Sequence, residues 1–346
     1  MPFRDVVGHV RLIDLLSRSI GGSSLPPSLL FAGPSGVGKH LTAVAVAQAL
    51  NCTAPVVDQS DPQRSAAGRQ SAIDACGVCS ACTRIARGMH PDVLFVAPGD
   101  NGSIKIDQVR DVVDRAQFRP FEGRRRVVII DEADALVPPA QNALLKTLEE
   151  PTPSSVFILV AARPDMLLPT VLSRCPQLRF RPLSLEEMTA ALIARGRTDA
   201  DARAIAATAD GSLGQALQAS AVEFLESRQL AQQVLENAAR QHDPAARVQG
   251  AQQLITKPPS GITERDQLAT HLRAMAVLLR DVEVVATGAD ERTLANADVR
   301  PALERLSNTY RGERGTRAFA AVDRALAALQ RNAGVKLVAD WLVLQL

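Results

Sequence analysis

Ser28-Leu-Leu-Phe-Ala-Gly33-Pro-Ser-Gly36-Val-Gly38-Lys39-His40 decides the reading of this chain. Ser28 to Ala32 has the length and apolar character of a buried strand. Gly33 to Lys39 fits G-x-x-x-x-G-K, the loop whose backbone N–H groups cradle phosphates while its lysine reaches the outer ones. After it, Leu41, Val44 and Leu50 fall at helical spacing. A glycine turn that merely caps a helix is the competing account. It leaves the lysine unexplained, in a chain where only five of 39 basic residues are lysine. The next position holds His40 where the motif places Ser or Thr. A hydroxyl there ligates Mg²⁺, a hard cation that takes oxygen, and imidazole is a poor substitute. Phosphate binding is expected to survive this change and metal-assisted hydrolysis to suffer.

Outward from that loop the pattern repeats. Residues 9 to 20 carry Val10, Ile13, Leu16 and Ile20 at helical spacing and stop at Gly21-Gly22. Residues 53 to 75 are polar and aperiodic and read as an exposed loop. Val93 to Ala97, Val127 to Ile130, Val156 to Val160 and Leu178 to Phe180 read as strands. Between them come helices over Ile106 to Ala116 and from Pro138-Pro139 to a point before Pro151. Apolar strands alternating with helices predict a parallel sheet covered on both faces. After Pro182 the strands cease. Ser184-Leu-Glu-Glu187, Thr198-Asp-Ala-Asp201 and Ser212-Leu-Gly-Gln215 are capping-box-like starts of a small helical segment. From about 220 the chain is Ala, Leu, Arg and Gln at helical spacing. The fold class is therefore α/β followed by all-α.

Composition bounds the function. At 346 residues the chain is long enough for two or three domains. Lys+Arg 39 against Asp+Glu 37 leaves a formal charge of +2, and aromatic residues make up 3%. That balance argues against a free-standing nucleic-acid binder driven by a positive field, and the scarce aromatics against a base-stacking surface. No apolar run approaches the roughly 18 residues of a membrane span, and the first residues lack the apolar stretch of a secretory signal. A cytoplasmic protein without membrane association is expected, its cysteines reduced or metal-bound.

Two further groups carry chemistry. Val127-Val-Ile-Ile-Asp131-Glu132 is a strand ending in two carboxylates. In phosphoryl-transfer machines an Asp at that point holds Mg²⁺ and a Glu orients or deprotonates the attacking water. Many strands end in acidic residues, but few do so downstream of a phosphate loop. Cys76-Gly-Val-Cys79-Ser-Ala-Cys82 places three thiols at x₂ spacing, and Cys52 supplies a fourth, with 23 residues between it and Cys76. Four thiolates satisfy tetrahedral Zn²⁺. Buried structural thiols or a redox dithiol are the alternatives. Cys175 is remote in sequence and stays outside this set.

Taken in order, these stretches resemble the AAA+ subunits of the bacterial DNA polymerase III clamp loader. The likeness runs from Asp5-Val-Val-Gly-His9 to about Leu217. It is carried by that opening segment, Gly33 to Lys39, the cysteine module, Ile106-Asp-Gln-Val-Arg110, Asp131-Glu-Ala-Asp134, Asn142 to Pro151 and Ser173-Arg174-Cys175. The resemblance implies a parallel-sheet AAA+ core over 1–181 with an inserted zinc module (52–82). A helical lid over 182–219 and a helical collar over 220–346 follow, the collar joining five subunits in a ring. Within the family the chain looks most like the delta-prime type. His40 replaces the metal-binding hydroxyl, Ala161-Ala162 stand where motor subunits present a polar sensor, and Gly214 stands where their lid offers an arginine. The implied nucleotide positions are Gly33, Gly36, Gly38, Lys39, Asp131 and Glu132, for ATP or ADP in a site that no longer turns over. The implied zinc ligands are Cys52, Cys76, Cys79 and Cys82. Arg174 is the implied finger, reaching a neighbouring subunit's ATP. The implied partners are gamma/tau motor subunits and the delta subunit, with the sliding clamp and primed DNA met through the complex. An ATP-hydrolysing gamma/tau-type motor is the alternative, since Lys39, Asp131 and Glu132 are kept.

Overall fold

A computed structural model describes residues 1–57, 72–99, 101–209, 211–218, 221–241, 243–255, 263–289, 294–331 and 333–346. The chain forms two compact units, Met1–Leu183 and Ser184–Leu346.

The first unit is built on a parallel sheet of five strands. These are β1 (Ser28–Ala32), β4 (Val93–Val96), β5 (Arg126–Ile130), β6 (Ser155–Ala161) and β7 (Gln177–Arg179), in the order β4-β5-β6-β1-β7. The register pairs Ala32 with Ala161 and Ile130 with Leu159, so β1 and β6 end level and β5 ends two residues earlier. Side chains alternate across the sheet, as the period of two requires. Leu29 and Phe31 join Val127, Ile129, Ile158 and Val160 on one face. Leu30 and Ala32 join Val128, Ile130, Phe157 and Leu159 on the other. The first face is covered by α1 (Val10–Gly21), α2 (Lys39–Asn51) and α3 (Ser80–Ala86). The second is covered by α4 (Ile106–Ala116) and α5 (Pro138–Glu149), followed by the short α6 (Pro169–Leu172). Both faces being covered explains why the strands read as continuous apolar runs.

The expected loop over 53–75 needs correction where it is described. Val56–Val57 (β2) and Ile73–Asp74 (β3) pair as a two-stranded antiparallel ladder. Each strand is only two residues long, too short to impose a local period, and the pairing is set by distant chain. Residues 58–71, the middle of that expected loop, lie outside the described residues.

The second unit is helical: α7 (Leu185–Ile193), α8 (Asp199–Thr208), α9 (Leu213–Gln218), α10 (Ala221–Arg240), α11 (Pro244–Ala251), α12 (Glu264–Thr287), α13 (Arg300–Ser307), α14 (Glu313–Gln330) and α15 (Val335–Gln345). All three N-cap side chains accept from the N3 amide, and at Ser184 the Glu187 carboxylate returns the bond to complete the box. Ser184 Oγ accepts from Glu187 N at 3.1 Å, Thr198 Oγ1 from Asp201 N at 3.2 Å, and Ser212 Oγ from Gln215 N at 3.3 Å. The long α12 packs against α10, α13 and α14 around Leu268, Leu272, Met275 and Leu279. Two buried polar anchors fix this bundle. Tyr310 donates its hydroxyl to the Leu235 carbonyl at 3.1 Å. Asp281 accepts from the backbone and side-chain amides of Asn296 at 2.9 and 2.8 Å.

Candidate nucleotide and metal sites

The phosphate loop leaves β1 at the carboxyl end of the sheet, where helix N-termini and strand ends meet in α/β folds. Gly33, Gly36 and Gly38 have φ values of 151°, 75° and 104°. Gly33 is required for a second reason: a Cβ there would lie 2.2 Å from the Phe180 carbonyl oxygen. The opening segment braces the loop, since His9 Nε2 lies 3.0 Å from the Val37 carbonyl oxygen. Lys39 is 6% exposed, and its Nζ donates to the carbonyls of Gly33 and Pro34, both at 2.5 Å. Burial lowers the Lys39 ammonium below its usual range, with Asp134 and Asp131 opposing.

Three carboxylates follow β5. Asp131 Oδ2 lies 2.8 Å from His40 Nδ1, and its Oδ1 accepts from the Glu132 backbone N–H at 3.0 Å. Burial works to raise Asp131, but the His40 hydrogen bond and charge hold it below the usual carboxylate range. The same bond lifts the His40 imidazole above its usual value. Glu132 sits in the left-handed region at φ 46°, and burial, Asp131 and Asp134 raise its carboxyl. Asp134 accepts from the Ala162 backbone N–H at 3.1 Å and pairs with Arg163 at 3.5 Å. Ala161-Ala162 thus meet the acidic cluster through backbone alone. The structure brings Lys39, His40, Asp131 and Glu132 together across 91 residues of sequence.

The four cysteines of the expected module converge: Cys52, Cys76, Cys79 and Cys82 place their Sγ atoms within 4.8 Å of one another. Cys52 caps the C-terminus of α2 and Cys79 the N-terminus of α3. Backbone N–H groups point at three of the sulfurs, from Cys76 to Cys52, Cys79 to Cys76 and Cys82 to Cys79, at 3.3, 3.3 and 3.5 Å. Such donors stabilise thiolates, the form that binds metal. Burial opposes the Cys79 thiolate, but hydrogen bonds from Thr53 and the Cys82 amide bring its thiol down to about 5. No disulfide forms among the described residues. Four soft sulfurs at this spacing suit a tetrahedral metal ion. Arg4 ties the module to the chain's opening segment, donating to the carbonyls of Ala75 and Cys76 at 3.0 and 2.8 Å.

Arg174 lies apart from both groups, just after α6. It forms an ion pair with Glu149 and donates through Nη1 to the Thr170 carbonyl at 2.8 Å and Ser173 Oγ at 3.1 Å. Its buried Nε has no hydrogen-bond partner among the described residues. The neighbouring Cys175 is buried in the sheet's second face, and burial pushes its thiol up to about 11.

A family described as "DNA polymerase III, delta subunit" matches residues 8–184, the span that contains every group above. The chain belongs to this family. Curated relatives include the delta' subunit of Pseudomonas aeruginosa, 38% identical over 177 residues that cover 51% of this chain and 49% of that protein. The tau subunit of Bacillus subtilis is 32% identical over 225 residues, covering 62% of this chain and 36% of that protein. The tau subunit of Escherichia coli is 33% identical over 186 residues, 54% of this chain and 26% of that protein. The chain spans half or less of the length of each. Outside the sequence motifs lies Asp92, which the family span includes and no spacing rule singles out. It is fully buried and accepts from the backbone of Phe121, Glu122 and Gly123 and from Arg126 at 2.8 Å.

Proposed function

We propose that this chain is a delta'-type stator of the DNA polymerase III clamp loader, a subunit that helps load the sliding clamp onto primed DNA without hydrolysing ATP itself. The observation that carries the reading is the 2.8 Å contact of His40 with Asp131. A motor needs that carboxylate and the neighbouring hydroxyl for Mg²⁺, and here the residue replacing the hydroxyl occupies the carboxylate. Gly33, Gly36, Gly38 and Lys39 then form a phosphate site, with Asp131 and Glu132 retained beside it but cut off from metal-assisted hydrolysis. Ala161-Ala162 add no polar side chain to sense a γ-phosphate.

In this reading Arg174 is a finger offered to the ATP of an adjacent gamma/tau-type subunit, where a guanidinium stabilises charge on the transferred phosphoryl group. Its ion pair with Glu149 is the resting arrangement that it leaves on assembly. Residues 182–219 act as a lid and 220–346 as the collar that joins motor and delta subunits in a five-membered ring. Cys52, Cys76, Cys79 and Cys82 hold one structural Zn²⁺, and the protein works in the cytoplasm.

The test is turnover. The isolated chain should show negligible ATP hydrolysis with Mg²⁺. In a reconstituted loader, Arg174→Ala should leave assembly intact and lower ATPase, because a finger is worth about 10³–10⁵ in turnover at the site it serves. Unchanged ATPase would remove Arg174 from the role. The motor reading is favoured by the retained Lys39, Asp131 and Glu132 and by the tau relatives. Hydrolysis by the isolated chain that disappears with Lys39→Ala would decide for it.

A further inference from the structure

The fold family couples a phosphate loop to Mg²⁺, and the residues here do not fit that ion. Magnesium demands six oxygen ligands in near-octahedral array at about 2.0–2.1 Å. Both oxygens of Asp131 are engaged by the protein, Oδ1 by the Glu132 N–H at 3.0 Å and Oδ2 by His40 at 2.8 Å. The position that would supply the second protein oxygen is the imidazole itself. That ring is also seated against Phe95, with centroids 6.1 Å apart.

The same residues do fit phosphate. Three glycines at positive φ, a lysine buried within the loop and the first turn of α2 are the parts that hold a polyphosphate. In an ordinary site the metal also screens the strand-end carboxylates, which otherwise repel the ligand. Here the protein engages two of the three itself: His40 meets Asp131, and Arg163 lies 3.5 Å from Asp134.

We infer that the Gly33–Lys39 loop binds the polyphosphate of a nucleoside di- or triphosphate without a divalent cation, with His40 standing on Asp131 where the ion would otherwise be. The inference rests on the proposed reading of the loop as a nucleotide site without turnover and deepens it. The ligand is the free nucleotide anion and not its magnesium complex.

Calorimetric titration of the full chain with ADP and with ATP tests it, in metal-free buffer and again with excess Mg²⁺. No chelator is used, so the cysteine cluster is left undisturbed. Wild-type affinity should be no tighter with Mg²⁺ than without it, and Lys39→Ala should abolish binding in both buffers. His40→Thr, which restores the hydroxyl and frees Asp131, should bind at least about tenfold tighter when Mg²⁺ is added. Wild-type affinity that rises about tenfold with Mg²⁺, absence of binding in both buffers, or a His40→Thr protein indifferent to Mg²⁺ overturns the inference. Absence of binding in both buffers would also remove the phosphate site from the proposed function, whereas the two Mg²⁺ outcomes leave the stator reading standing, since that reading is tested by turnover.

Discussion

Asp92 shows how much one buried residue can organise. Its carboxylate gathers three consecutive backbone N–H groups and the Arg126 guanidinium, and so fixes the turn that launches β5 toward Asp131. Burial works to raise its pKa, but Arg126 and the three amides outweigh it and bring the group to about 2, below its unfolded value of 3.8. A depressed folded value means stability that is present above about pH 4 and lost as pH falls toward 2. The contribution is about 2 kcal/mol. Denaturant melts should show Asp92→Asn destabilised near neutral pH, with the gap to wild type closing as pH falls through that window. A gap independent of pH would assign the effect to shape and not to charge. Nothing in the sequence marks Asp92, because a lone acid beside Pro91 has no spacing to betray it. His40 and Asp131 were each legible in the sequence, but their meeting was not: it depends on β1 and β5 flanking β6 in a parallel sheet, with their carboxyl ends on the same edge.

At the scale of elements, α2 joins the two sites. It runs from Lys39 at the phosphate loop to Asn51, with Cys52 as its cap, a span of about 20 Å at 1.5 Å per residue. Its interior is small-residue: Ala43, Ala45 and Ala47 are fully buried, which lets the sheet, α1 and α3 approach closely. The cysteine module is therefore joined to the far end of the helix that begins at Lys39. Elemental analysis of protein purified without chelator should find one zinc per chain. Cys79→Ser should lose it and lower Tm by about 5 °C or more. An unchanged Tm in a metal-free variant would strip the cluster of its structural role. Helices and strands with strong periods were read nearly to the residue, α4 over Ile106–Ala116 among them. The β2–β3 ladder was not, because two-residue strands have no period and their pairing belongs to the tertiary fold.

The whole molecule divides at Leu183 and Ser184, and each unit has a core of its own. The clusters on the two faces of the sheet draw only on residues before 184, and the helical core around Leu272, Met275 and Tyr310 only on residues after it. A chain divided at that junction should yield two pieces that each melt cooperatively, followed by circular dichroism. A helical piece that stays unfolded alone would show that its stability depends on the rest of the chain. The near-neutral charge of +2 gives the molecule no strong positive field of its own.

The clustered sulfurs also govern how this protein ages in air. Sγ atoms of Cys52 and Cys79, and of Cys76 and Cys82, lie 4.0 Å apart, so a small movement suffices to join either pair once a metal is gone. Cys79, whose thiol falls to about 5, ionises readily, whereas Cys175 is buried with its thiol pushed up to about 11. Mild peroxide should therefore consume the four-cysteine cluster first and spare Cys175.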